Sequence, residues 1–159
     1  MDSQTRIMVN IADRTWTMEA LHCACIMARK TSAKIVLMKM IPVQHPGLLG
    51  TNLGYINFSY QEQQDVEDYE ATIKDYSVEF SSHLFQYMTL GDAISQAAQD
   101  VKAQIVFATL PASLIPFWHD FQTQGLRRRL ARHQRQLIEN PSYDSQPQLL
   151  TYEAMSVQI

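Results

Sequence analysis

Apolar residues in this chain fall into short dense runs separated by stretches with a helical period. Arg6-Ile-Met-Val-Asn-Ile-Ala12 is the first such run, apolar and β-branched enough for a strand buried on both faces. Asp13-Arg14-Thr15 breaks it. From Thr17 to Lys30 the apolar positions Ala20, Leu21, Ala24, Met27 and Ala28 share one face of a predicted helix, which Thr15 or Thr17 would cap. Ala33 to Ile41 is a second strand, stopped by Pro42. Val43 to Tyr60 has no period and holds Gly47, Gly50 and Gly54, so a long loop is expected there.

The second half repeats the alternation. Val66, Tyr69, Ile73, Tyr76 and Phe80 recur at spacings of three and four, predicting an acidic helix from Gln61 to about Ser81. Ser82 to Met88 follows as a strand. Thr89-Leu-Gly-Asp92 has the pattern of a capping box and would open a helix running to about Lys102. Gln104 to Thr109 reads as a fourth strand, Leu110 to Gly125 as a second long loop, and Leu126 to Glu139 as a basic helix. Asn140 to Pro147 is then a linker, and Gln148-Leu-Leu-Thr-Tyr-Glu-Ala154 a last strand. Strands alternating with helices imply a parallel sheet, because parallel neighbours need a crossover. The expectation is one α/β domain over residues 1–159, a doubly wound five-stranded, mostly parallel sheet with helices on both faces.

Composition narrows the class. With 46% apolar and 18% charged residues in 159, the chain is neither disordered nor fibrous. No run approaches the length of a membrane span, and the polar start Met1-Asp2-Ser3 does not resemble a signal peptide, so a cytoplasmic protein is expected. The formal charge of −3 argues against nucleic acid as a partner. Charge is unevenly spread: Arg127, Arg128, Arg129, Arg132 and Arg135 form a basic run, while seven acids lie between Glu62 and Glu79. Cys23 and Cys25, two apart on a helix, point away from each other, which predicts two separate thiols rather than a bridge or a shared metal. The five histidines show no metal-ligand spacing, and neither a nucleophile elbow nor a Walker loop occurs, so no metal and no catalytic set is expected.

The layout resembles the universal stress protein family over almost the whole chain. The resemblance is carried by Arg6 to Asp13 as first strand and terminal acid, Ala20, Ala24 and Ala28 in the first helix, and Ile35 to Pro42 as second strand. Ile94, Ala97-Ala98 and Ala103-Gln-Ile-Val-Phe-Ala108 extend it through the third helix and fourth strand. It implies an adenine nucleotide alpha hydrolase-like fold. ATP-binding members of that family carry a Gly-x-x-Gly-x9-Gly-Ser/Thr loop after the fourth strand. Here Ala108-Thr-Leu-Pro-Ala-Ser-Leu114 has no glycine, and Leu126 stands where the hydroxyl residue belongs. Of the family's nucleotide constellation there remain Asp13, Gly125 and the backbone at Met40 and Ile41 that would face an adenine. The resemblance therefore implies a non-enzymatic stress or regulatory domain without ordinary ATP binding. The alternative is a nucleotide binder or slow hydrolase that uses Asp13 with an unconventional phosphate loop.

Each candidate group has two readings. Asp13 would hold a ribose or an adenine-side group, or simply be a turn residue near a helix start. Arg127 and Arg128, beside Gly125, would hold an anion at a helix start, or belong to a solvated face that pairs with the acidic helix. The apolar group Leu114, Ile115, Phe117, Trp118 and Phe121 would cover the cleft near Asp13, dock another protein, or pack on its own sheet edge. The strand at 148–154, with Glu153 its one charge and no proline or lysine, is expected at a sheet edge, where it would pair across a two-fold axis into a homodimer.

Overall fold

The protein is described by a computed structural model covering residues 4–43, 59–111 and 116–141. Five strands alternate with four helices: β1 (Arg6–Asn10), α1 (Arg14–Thr31), β2 (Lys34–Pro42), α2 (Tyr60–Asp75), β3 (Phe80–Tyr87), α3 (Leu90–Asp100), β4 (Ile105–Phe107), α4 (Pro116–Arg132) and β5 (Gln136–Ile138). The strands form one sheet of order β3-β2-β1-β4-β5, and every pairing is parallel. The expected doubly wound α/β architecture is therefore present. The order in which strands are added reverses at β1, which has β2 on one side and β4 on the other. That places a topological switch point, where open α/β sheets bind ligands, at the carboxyl ends of β1 and β4.

Strand periodicity divides the core into two layers. Ile7, Val9, Ile35, Leu37, Ile105 and Phe107 point toward α1 and α2, where they meet Leu21, Ala24, Tyr69 and Ile73. Met8, Val36, Met38, Met40 and Val106 point the other way and pack on Ile94, Ala97, Leu126 and Leu130 of α3 and α4. The alanines of α1 and α3 let each helix lie close to the sheet, as removal of bulk at contact positions permits.

All four helices end alike. Ser32, Ser77, Lys102 and Gln134 each take a left-handed φ of 53° to 58°. The next amide then donates back to a carbonyl five residues earlier: Ala33 to Ala28, Val78 to Ile73, Ala103 to Ala98 and Arg135 to Leu130. This is the Schellman stop, here made without glycine. It corrects several predicted boundaries. α2 stops at Asp75 rather than Ser81, because Ser77 turns the chain and Phe80 opens β3.

The largest correction lies beyond β4. α4 starts at Pro116, inside the segment expected to be a loop. A proline at the first helical position lacks only an amide that would be unpaired there anyway, so it starts this helix rather than breaking one. Gln134 ends α4, and Leu137-Ile138, expected within the basic helix, instead belong to β5. The predicted last strand at 148–154, and the dimer contact built on it, lie outside the described residues. The capping box at Thr89 does not form either. Thr89 makes no side-chain cap bond, and Asp92 pairs with Arg129 of α4 instead. A true capping box opens α2, where Ser59 Oγ accepts from the Glu62 amide and Glu62 accepts from the Ser59 amide. These contacts, with Lys39 beside it, hold the Glu62 carboxyl below its usual range.

Both cysteines are free, Cys25 buried and Cys23 half-buried. Burial raises the Cys23 thiol and pushes Cys25 up to about 12. An unfolded thiol ionises near pH 8.5, so between that value and about 12 the unfolded chain loses this proton first and stability falls as pH rises. Urea midpoints measured at pH 7.5 and pH 10 should show the drop. Cys25→Ala should reduce it; an identical drop in the variant would show that the thiol contributes nothing.

Candidate functional site

The chain leaves β1 at Asn10 and turns into α1 through Ile11-Ala12-Asp13. This turn is fixed at both ends. The Asp13 carboxylate accepts from the Trp16 amide at 3.0 Å and so caps α1, while the buried Thr17 hydroxyl accepts from the Ala12 amide at 3.0 Å. The Trp16 indole then donates to the Glu139 carbonyl at 2.8 Å, binding the start of α1 to the end of β5. Between these segments, at the switch point, opens a cleft of about 590 Å³.

Its walls come from five places in the chain: Asn10 at the end of β1 with Asp13 just beyond it, Met40 from β2, Tyr87 and Leu90 around the start of α3, Thr109 to Pro111 after β4, and Glu139 and Asn140 after β5. His119 of α4 completes it. Asn10 shares the strand face of Met8, and Met40 that of Met38, so both belong to the layer facing α3 and α4. Asn10 is 2% exposed, and its Oδ1 has no hydrogen-bond partner. A buried acceptor left in this way is uncommon in folded proteins and calls for an explanation. His119 Nε2 lies 3.1 Å from the Leu110 carbonyl oxygen, which can only accept, so the ring donates from that nitrogen. The Glu139 carboxylate stands 3.7 Å from the same nitrogen, beyond hydrogen-bond length.

A second groove of about 420 Å³ adjoins the cleft and shares Leu90, Leu110 and Pro111 with it. Trp118 and Phe121 stack in its wall with ring centroids 5.7 Å apart. Gly125 and Arg129 close its far end.

No protein-family profile matches this sequence, and no curated protein sequence matches it significantly. Solved structures do. A universal stress protein family member from Burkholderia pseudomallei superposes with a TM-score of 0.60 at 16% identity, covering 89% of this chain and 99% of that one. A universal stress protein in complex with cAMP superposes at 0.63 and 12% identity, covering 89% and 100%. UspA from Lactobacillus plantarum gives 0.57 at 14%, covering 86% and 98%. This chain has the universal stress protein fold.

Within that fold the sequence-predicted residues separate. Asp13 and Met40 meet in the cleft; Ile41 is buried beside them and is not part of its lining. Gly125 lies inside α4, nine residues past the helix start, where it offers no free amide. A Cβ added there would meet nothing within 4 Å, so the position does not require glycine. Gly125→Ala should therefore raise stability by up to about 1 kcal/mol, the helix-propensity difference, in a thermal melt. A loss of stability would show that the glycine has a structural duty after all. Arg127 and Arg128 are exposed in the second half of α4, and Arg127 donates to the Leu137 carbonyl at 3.4 Å. The basic run does not pair with the acidic helix, which lies on the opposite face of the sheet. α2 is answered by Arg14, which bridges Asp65 at 2.6 Å and Asp68 at 2.9 Å, and by Lys39.

Phe117, Trp118 and Phe121 stand at the expected edge of the sheet without covering Asp13. Phe117 is 83% exposed and Phe121 70%, and it is His119, between them, that turns toward the cleft. Among the described residues no group of acidic, histidine or cysteine side chains is arranged to hold a metal, and no helix is long and apolar enough to cross a membrane.

Proposed function

We propose that this chain is a universal stress protein family member that acts by binding a small ligand in the Asn10–Asp13 cleft, without catalysis and without the phosphate grip of ATP-binding relatives. The observation that carries this is the exit of β4. Thr109-Leu110-Pro111 borders the cleft where a glycine loop would approach phosphates, and Pro111 has no amide to donate. The loop's last glycine has no counterpart in function either, since Gly125 lies within a helix. Among the described residues, the exit of β4 and Gly125 therefore offer a triphosphate none of the glycine-loop donors. Absence of turnover is supported by the described lining residues, among which there is no serine, cysteine or lysine, and by His119, whose Nε2 proton is engaged by a backbone carbonyl.

The exposed Phe117, Trp118 and Phe121 supply the same domain with a surface for a protein partner. A second reading, nucleotide binding through Asp13, is favoured by one observation, the structural neighbour whose complex contains cAMP. Calorimetric titration with ATP separates the two. Binding weaker than about 1 mM, equivalent to about −4 kcal/mol, is expected, with no nucleotide in the purified protein. Adenine nucleotide retained at near-stoichiometric amounts would overturn the first reading.

A further inference from the structure

We infer that the cleft selects against phosphorylated ligands and takes an uncharged or cationic small molecule that presents an N–H donor beside an apolar or aromatic body. This rests on the small-ligand reading above and names the ligand's chemistry.

The first support is the orphaned acceptor. Three buried side-chain polar atoms among the described residues lack a partner: Asn10 Oδ1, Thr123 Oγ1 and Arg135 Nε. Of these residues only Asn10 lines the cleft. An amide oxygen of that kind is completed by a donor, and a phosphate at neutral pH brings chiefly acceptors.

The second support is charge. Asp13 and Glu139 both border the cleft, and none of the thirteen lysines and arginines does. That census is complete for the chain, because residues 1–3, 44–58, 112–115 and 142–159 contain no lysine or arginine. Arg129, in the adjoining groove, is paired to Asp92. One Asp13 oxygen is engaged by the Trp16 amide, which leaves its other oxygen for a ligand. An anion entering here would lose its hydration and face two carboxylates with no counter-charge, whereas an amine would face them favourably. Met40, Tyr87 and Leu90 supply apolar surface to the cleft, and Tyr87 adds an aromatic ring to the lining.

The test is calorimetry on the full-length protein with adenosine, AMP and spermidine at low ionic strength. Adenosine and AMP share one base and differ in the phosphate, and spermidine carries positive charge alone. Saturable binding of adenosine or spermidine is expected, with AMP at least tenfold weaker than the better of them. Asp13→Asn with Glu139→Gln keeps both side-chain volumes and a capping residue at position 13. That double variant should narrow the preference at least fivefold. AMP binding as tightly as the better of the other two, or a preference unchanged in the double variant, would overturn the inference and leave the small-ligand reading standing. Binding of none of the three up to millimolar concentration would overturn both.

Discussion

Asn10→Leu should stabilise the protein by about 1–2 kcal/mol and abolish ligand binding in the cleft. Asn10 is 2% exposed and its Oδ1 has no partner, so the folded state bears the desolvation of an acceptor that water satisfies when the chain unfolds. Such a group costs about 1–3 kcal/mol, and leucine, of similar size, removes it while adding apolar area beside Met8 and Met40. The destabilising residue would then be retained for the ligand, as polar groups at binding sites commonly are. Urea unfolding should show a higher midpoint with an unchanged slope, and the calorimetric signal of whichever probe binds the parent should vanish. A variant less stable than the parent would show that Asn10 has a structural partner and is no sign of a site.

Strands such as Arg6–Asn10 and Ile35–Ile41 were legible from the sequence because they are short, apolar and largely buried. Helix ends were not, and the reason is chemical. Glycine is the usual mark of a left-handed stop, and this chain stops its four helices with Ser32, Ser77, Lys102 and Gln134. Without that mark, Phe80 continued the apolar spacing of α2, and Leu137-Ile138 continued that of Leu126 and Leu130. The start of β3 and the whole of β5 were absorbed into helices for this reason. Pro116 misled in the opposite sense, belonging to a loop in the expectation and starting a helix in the structure.

Those boundary errors decided which site residues could be found. Asp13 and Met40 sit at the ends of correctly placed strands, and they meet in the cleft. Glu139 and His119 could not be placed there while β5 was read as helix and the start of α4 as loop. Asn10 did carry a signal, a polar residue inside an apolar strand, and burial alone turned it from an oddity into a candidate. The arginines illustrate the converse. Their run is conspicuous in sequence, yet Arg127 and Arg128 project from the second half of α4, and neither lines the cleft.

Phe107→Ala should cost about 3–5 kcal/mol, the range for a buried aromatic emptied from a core. β4 has only three residues and β5 three, so few ladder hydrogen bonds hold this half of the sheet. What fixes it is side-chain burial: Ile105, Val106 and Phe107 are fully buried, and Phe107 packs in the layer under α1 and α2. Against a total stability of about 5–15 kcal/mol, such a loss lowers the melting temperature by roughly 10 °C or more. The consequence extends to the cleft, because β4 delivers Thr109, Leu110 and Pro111 to its wall and pairs in register with β5, which delivers Glu139. Ligand affinity should therefore fall together with stability. Leu84→Ala on β3, at a position 45% exposed, is the control and should change stability by no more than about 0.5 kcal/mol. A Phe107→Ala variant within about 1 kcal/mol of the parent would mean that β4 is not the central element this packing makes it.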